Sequence, residues 1–418
     1  MAVATAAQLL QIFKEVYGHR IEAQANKSRV LYTEFDKTKE EMAAGKYWTF
    51  PVLDEAGWGA VGSRKDGQTL PVATPETPLQ ATILPKYHYA TIQVSGPAIA
   101  QSRSKAIAFI QAKDLEVTEK TSSMLAMLNR QCYNDSHGEL GDVASDAANT
   151  ITFGIEVNMN WFRKGMRIDF FDVTLATKRN GTTGTEAEGR IITVVNKTTR
   201  TLTYSGSDLS GTIVATDRVF AEDVRLGAAA TEEGSEMAGL RFIIDDGTDS
   251  NVTFENISRT TYPIWKGNRM FNAGVGRPLS LDLIQTAFDQ AEIESGLDID
   301  YLISGKGQRR AYVNLLWHDA RYEPQTFKGG FRILQYAGGD KSVDWRSDKD
   351  CMPGQFIGLS RASIKRYEVQ GLGILDHENS GTLRIAGKDV YEILVGGYFN
   401  LGATRSNCNF RMGDLLEP

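Results

Sequence analysis

The stretch Ile83-Leu-Pro-Lys-Tyr-His-Tyr-Ala-Thr-Ile-Gln-Val94, followed at once by Ser95-Gly96-Pro97, decides how this chain divides. It is rich in aromatic and β-branched residues and bounded by a turn former, which marks a strand. Ser-Gly-Pro then reads as a helix entry, because proline is tolerated in a first turn whose N–H groups lack helical partners. Upstream, Tyr47-Trp-Thr-Phe-Pro-Val-Leu53 is a second β-run, and Gly57, Gly59, Gly62, Gly67, Pro71, Pro75 and Pro78 lie between the two. The pair is predicted to form one long hairpin with a loose tip. A lone two-stranded hairpin is marginal in water, so a neighbouring molecule is expected to cover it; a bare surface loop is the plainer reading.

After Pro97, apolar residues recur at Ile107, Ile110, Val117, Met124 and Leu128, with Thr121 filling a gap, until Asp135-Ser-His-Gly138 ends the pattern. One helix of ~35 residues would be ~50 Å long and would need an extended platform. Two shorter helices are the alternative, since Asp114 and Glu116 interrupt the stripe. Before the hairpin, Leu9, Leu10, Phe13, Val16 and Tyr17 form a helical stripe, and a second short helix is predicted at 28–44. This arm has too little apolar surface to fold alone.

Residues 155–225 are strand-rich, at 166–173, 190–195, 200–204 and 212–220, with turn signals Asn180-Gly181 and Ser205-Gly206. That regular spacing predicts a small β-barrel or sandwich inserted into the rest. A linker-like stretch, 227–235, follows. The remainder is mixed α/β. A helix is predicted over 281–295 with Ile284, Ala287, Phe288 and Ala291 inward, then a buried strand over 300–305 and a second helix over 308–318. Strands are predicted at 331–336, 341–345, 355–359 and 391–396.

The 418 residues, 41% hydrophobic and 23% charged, have ordinary globular composition and suggest two or three domains. Lys+Arg 46 against Asp+Glu 52 gives a net charge of -6, with a pI of about 5.6, which argues against a sequence-specific DNA binder. No window approaches the ~20 apolar residues of a membrane span, and the N-terminus lacks the basic region of a signal peptide. Cys132, Cys351 and Cys408 are far apart without a Cys-x-x-Cys, so neither a disulfide framework nor a zinc knuckle is expected and a reducing cytoplasm fits.

Signatures of chemistry are sparse. His19, His88, His137, His318 and His377 are dispersed, and His377-Glu-Asn-Ser-Gly381 lacks the second histidine of a zinc-protease helix. No Gly-x-Ser-x-Gly elbow and no phosphate-binding glycine loop occurs. Gly305-Lys-Gly-Gln-Arg-Arg310 is a basic turn that could touch phosphate or simply be a solvated helix start. Asp245-Asp-Gly-Thr-Asp-Ser-Asn251 has its glycine at the wrong offset for a calcium loop. Pairs such as Asp298/Asp300 are too common to support glycosidase chemistry. No catalytic residue, cofactor or metal site is expected.

Several stretches carry a resemblance. Residues 83–96, Gly239-Leu-Arg-Phe-Ile-Ile-Asp-Asp-Gly247, Arg259-Thr-Thr-Tyr-Pro-Ile-Trp265, Leu279-Ser-Leu-Asp-Leu-Ile-Gln285, Asp300-Tyr-Leu-Ile-Ser304, Phe327-Lys-Gly-Gly-Phe331 and Asp350-Cys-Met-Pro-Gly354, in this order, resemble the major capsid proteins of tailed bacteriophages. The likeness covers nearly the whole chain outside 155–225. It implies an α+β fold, the tailed-phage major capsid fold shared with herpesvirus and encapsulin shells, plus a small β-barrel-like insertion domain. The implied parts are an N-arm at 1–46, an E-loop at 47–95 and a P-domain with spine helix at 96–154. The insertion domain at 155–225, a linker at 226–269, an A-domain at 270–370 and completing C-terminal strands at 371–418 follow.

The resemblance further implies a homo-oligomer of hexamers and pentamers in an icosahedral shell around non-specifically held double-stranded DNA. Partners would be a portal, a separate scaffolding protein and a decoration protein; no membrane is implied, and location is the virion, after assembly in the bacterial cytoplasm. Leu9, Leu10, Phe13, Trp48, Phe50 and Trp58 are the expected inter-subunit contacts, with packing of the aromatic residues on their own subunit as the alternative. Some relatives cross-link through a Lys–Asn isopeptide bond, for which Lys65 with Asn400, Asn407 or Asn409 would be candidates. An encapsulin-type compartment shell and a β-rich carbohydrate-active enzyme are the competing readings.

Overall fold

The computed structural model describes residues 29–38, 45–53, 61–73, 78–95, 112–175, 177–181, 188–209, 211–225, 234–248, 252–317, 334–338, 341–375, 383–384 and 387–418. The chain falls into two units, one of residues 1–28, 89–125 and 373–396, the other of residues 29–88, 126–372 and 397–418.

In the larger unit, six strands close a barrel: Glu139–Ala147, Thr150–Phe153, Thr201–Tyr204, Arg190–Asn196, Arg167–Phe171 and Arg218–Ala221, in that order around the ring. All its pairings are antiparallel. Closure leaves no sheet edge, and inward-facing residues alternate with outward ones. Ile151, Ile168, Phe170, Leu202 and Val219 are fully buried, and Phe170 meets Tyr204 at 5.6 Å between ring centroids. The barrel begins at Glu139, sixteen residues before the expected boundary. Its first two strands are joined by Ala148-Asn149, both at positive φ (48° and 63°), the geometry of a two-residue hairpin turn. The expected turn residue Asn180 is instead buried, bridging Phe170 N–H (2.8 Å) and Asp169 (2.7 Å).

A second assembly is a mixed six-stranded sheet. Its order is Asn268–Met270, Phe410–Met412, Phe356–Leu359, Tyr301–Ser304, Lys341–Ser347 and Leu334–Gly338. The helix Leu281–Ser295 packs on its first two strands and Lys306–Trp317 on Tyr301–Ser304. The first helix starts where Ser280 Oγ accepts the Leu283 N–H (3.1 Å) and stops at Gly296, whose φ of 66° an L-side chain would resist. The predicted faces are realised: Ile284, Ala287 and Ala291 are 0% exposed and Phe288 reaches Phe410 and Tyr336. Tyr312, Trp345 and Phe356 extend this core. The basic stretch 305–310, which forms the start of the second helix, lies against the Glu417 carboxylate, which abuts Gly307 and accepts the Gly354 N–H (3.1 Å). Between barrel and sheet in sequence, the expected linker holds a short helix, Leu240–Ile243, and the ribbon Thr253–Phe254 with Ile257–Ser258. Arg259 is buried there, donating to the Phe242 and Ile243 carbonyls and lying over the Phe254 ring.

Trp48–Leu53 pairs antiparallel with Pro78–Ile83, Trp48 opposite Ile83 and Leu53 opposite Pro78. This corrects the hairpin expected from the sequence, whose second strand was placed at 83–94. Lys86–Ser95 is a separate strand, set apart by Pro85, and it pairs with Val390–Ala403. Val390–Ala403 also pairs with Ile364–Ile374 and with Leu383–Arg384 in a four-stranded sheet. In the smaller unit, the pairing sets Leu383 opposite Glu392 and Arg384 opposite Tyr391, and Leu375 N–H donates to Leu394 (2.8 Å). A helix runs over Ala112–Gln131; the expected helical residues before 112 lie outside the described residues.

Candidate functional site

Three features of the larger unit are candidates: the hairpin, the segment preceding it, and a crevice at the root of the barrel. The hairpin changes character along its length. At its base Trp48 is 1% exposed, packed on Ile83 and on Tyr367 with ring centroids 5.5 Å apart. Phe50 packs on this cluster and stands 6.4 Å from Trp265. Burial within its own chain leaves the Trp48 indole no surface to offer another subunit, so its part is to root the hairpin. Leu9, Leu10, Phe13 and Trp58 lie outside the described residues, as does His377.

Toward the tip the cover is gone. Leu53 is exposed, and Val61, Leu70 and Val72 are 72%, 77% and 81% exposed. Lys65–Gln68 forms a β-turn: Gln68 N–H donates to the Lys65 carbonyl (3.1 Å), the Gln68 side chain accepts the Lys65 N–H (3.1 Å), and Gly67 takes a φ of 78°. Arg64 folds back on this loop, donating to Thr69 O (3.2 Å) and Ser63 O (3.1 Å). Local hydrogen bonds therefore shape the described part of the tip, whose apolar side chains are exposed.

The segment 29–38 is clamped by Asn129. Its Oδ1 accepts the Leu31 and Tyr32 N–H groups (3.0 and 3.1 Å), while its Nδ2 donates to Asp348 and Asp350 (2.8 and 2.7 Å). Tyr133 adds a hydroxyl donor to Asp348 (2.9 Å). Burial pushes the Asp350 carboxyl up, and burial with the Asp348 charge raises Tyr133. Lys37 bridges in parallel to Arg366 and ion-pairs with Glu368 (3.0 Å). The sequence reading missed this hub. Its signal was a buried polar run, Asn129-Arg130-Gln131, directly after Leu128 in the apolar stripe.

The crevice, about 380 Å³, opens where the barrel meets the six-stranded sheet. Apolar Ile155, Val157, Phe271 and Met352, acidic Glu139, Asp142 and Glu156 and basic Arg241 and Arg411 line it. Glu139 is held by Arg218 and Arg241 (3.1 Å each), whereas Asp142 stands 3.7 Å from Arg218. Burial, then the Glu139 charge, with Glu156 adding to it, holds the Asp142 carboxyl above the usual range. The barrel root is fixed by Asn158, donating to the Lys349 and Cys351 carbonyls (2.8 Å each), and by Trp161 Nε1 to Asp350 O (2.9 Å).

Reactive groups are subdued. Burial raises the thiol pKa values of Cys132, Cys351 and Cys408, and free thiols of this kind are poor nucleophiles. Burial lowers His88, whose ring is tilted against Phe399 at 4.7 Å between centroids, to about 4. Among the described residues no three His, Cys, Asp or Glu side chains group as metal ligands. Asn400 and Asn409, named for cross-linking, are buried: Asn400 serves Ala238 and Leu84, and Asn409 serves Ser360 and Arg405. Asn407 donates to Glu294 O (3.1 Å).

No sequence-family description and no curated protein matches the chain. Solved structures do. The cyanophage A-1(L) capsid protein superposes with a TM-score of 0.57 at 11% identity, over 96% of this chain and 97% of its own. The capsid of an empty GTA particle gives 0.53 at 7% identity, over 98% and 97%. The chain has the phage-capsid fold. Within that fold the barrel is a closed six-stranded module, and the hairpin leaves Leu53, Val61, Leu70 and Val72 bare.

Proposed function

We propose that this chain is a major capsid protein, a structural subunit that self-assembles into hexamers and pentamers of an icosahedral head enclosing double-stranded DNA. The observation that carries the reading is agreement with capsid structures over essentially the whole chain, insertion included. In this reading 47–95 is the E-loop, 1–46 the N-arm, 96–154 the P-domain, 270–370 the A-domain with 371–418 completing the core, and the barrel an insertion. Trp48 and Phe50 are the E-loop's footing, and Leu53, Val61, Leu70 and Val72, with Trp58 and with Leu9, Leu10 and Phe13 of the arm, bury apolar area between copies. Such area contributes ~25 cal/mol per Å². Each contact can be weak because the shell repeats it. The chain works by assembly rather than turnover, with a separate scaffolding protein, a portal and a decoration protein as partners, in the bacterial cytoplasm and then in the virion.

Electron microscopy of the protein produced with its neighbouring head proteins tests this. Closed icosahedral particles are expected, and Trp58→Ala should lower their yield while leaving the subunit folded. A dilute monomer that never forms particles would overturn the proposal, and closed particles loaded with a protein cargo would move it to a compartment shell.

A further inference from the structure

We propose that the bend at residues 348–351 is a lock with two faces, through which the seating of the barrel controls the docking of the start of segment 29–38. The device lies within one subunit and stands apart from the shell reading. One face of the bend is made of carboxylates. Asp348 and Asp350 are both buried, and each accepts a hydrogen of the Asn129 carboxamide (2.8 and 2.7 Å). The other face is made of backbone carbonyls turned to the barrel root. Lys349 O and Cys351 O accept from Asn158 (2.8 Å each), and Asp350 O accepts from Trp161 Nε1 (2.9 Å). The barrel holds this root through the turn between two of its strands, where Arg200 donates to Val157 O and Lys197 Nζ to Asn160 Oδ1 (2.8 Å).

Asn129 converts the state of the bend into a state of the segment. A carboxamide has two donors at one end and an acceptor at the other. The two carboxylates hold its Nδ2 end, so Oδ1 is presented to the Leu31 and Tyr32 N–H groups (3.0 and 3.1 Å). Those groups open a turn closed by Glu34 N–H to Leu31 O (3.0 Å), and Leu31 and Tyr32 are buried. A buried N–H without an acceptor is costly, so the end of the amide that faces the segment decides its docking. The bend has no half-made position. Its side chains and carbonyls belong to the same short run of peptide units, so a rotation that frees the barrel also swings the carboxylates off Asn129. The far end of the segment has anchors of its own: Thr38 N–H donates to Arg366 O and Arg366 N–H to Asp36 O (2.9 Å each). The lock therefore governs Leu31 and Tyr32 and leaves 36–38 in place.

Amide hydrogen exchange of the full chain, unassembled and read residue by residue, tests the proposal. Asn158→Ala touches only the barrel side of the bend. It should speed exchange at Leu31 and Tyr32 about tenfold, the size of one net hydrogen bond, with Thr38 and Arg366 unchanged. Coupling is reciprocal, so Asn129→Ala should speed exchange of the Trp161 indole N–H by a like factor. Trp161→Phe keeps an aromatic ring and removes a single donor, and it repeats the first measurement if Asn158→Ala does not fold. Wild-type rates at Leu31 and Tyr32 in the barrel-side variants overturn the lock. Equal acceleration at Thr38 overturns it as well, because that is general loosening and not passage through the bend. In denaturant unfolding, Asn129→Ala and Asn158→Ala together should shift the midpoint by less than the sum of their separate shifts; full additivity also overturns the coupling.

Discussion

The barrel and the hairpin are two β excursions of one chain, and they solve the problem of unpaired edges in opposite ways. The barrel closes on itself, so every strand has two neighbours, Phe170 meets Tyr204 on one face of the wall and Phe171 meets Phe220 on the other. The hairpin has two strands; Trp48, Ile83 and Tyr367 hold its base, and among the described residues Val61, Leu70 and Val72 toward the tip are exposed. The same β-rich chemistry gives self-sufficiency in one region and an unmet need for a partner in the other. What separates them is strand number: six strands can ring a core, while two can only lie on one.

That contrast can be broken. Phe170→Ala should destabilise the subunit by about 3–5 kcal/mol in denaturant unfolding, through a cavity in a closed core, and Trp48→Ala by a similar amount through the hairpin's footing. If Trp48→Ala proved mild, the base would be as bare as the tip and the comparison would fail. Acid sharpens it next. His88 follows the hairpin, and its folded pKa of about 4 lies below the 6.5 of an unfolded chain. Between those values the unfolded state binds more protons, so stability is full above 6.5 and falls as pH drops toward 4, by about 3 kcal/mol at most. The barrel strands contain no histidine. Hydrogen exchange at pH 5 should therefore loosen 86–95 and the hairpin before the barrel, and His88→Gln should flatten the pH dependence.

A smaller effect is expected at the barrel's attachment. Asn158→Ala leaves the Lys349 and Cys351 carbonyls without their donor and should cost about 2 kcal/mol, with exchange rising over 349–351 while the barrel strands stay protected. The smallest effect on the lone subunit belongs to the tip. Leu70→Ser with Val72→Ser should change its melting stability by under about 0.5 kcal/mol, as exposed substitutions do, yet reduce particle yield. Loss of subunit stability without loss of particles would reverse the roles assigned to tip and base.

Much of the fold was legible because it is written in short-range periodicity. The helix Leu281–Ser295 has both its ends and its buried face in the sequence, through Ser280, Gly296 and the spacing of Ile284, Ala287, Phe288 and Ala291. The later barrel strands were visible as β-branched runs. The first two were not, because the turn between them is Ala148-Asn149 with no glycine to announce it. Of the candidate site, the bare hairpin tip was foreseeable from its glycines and prolines. The Asn129 clamp and the crevice were not, since each gathers residues more than a hundred positions apart.

By itself, the sequence determined the helix Leu281–Ser295 with its apolar face and the later barrel strands, because those properties depend on neighbours three or four residues away at most. Only the tertiary structure decided the partners: that Trp48–Leu53 pairs with Pro78–Ile83 while Lys86–Ser95 joins another sheet, that Trp48 is sheltered by Tyr367, and that barrel and sheet residues enclose a crevice lined by both carboxylates and guanidinium groups. Pairing is chosen by summed packing over distant residues, and several registers satisfy the same local pattern until that sum is taken.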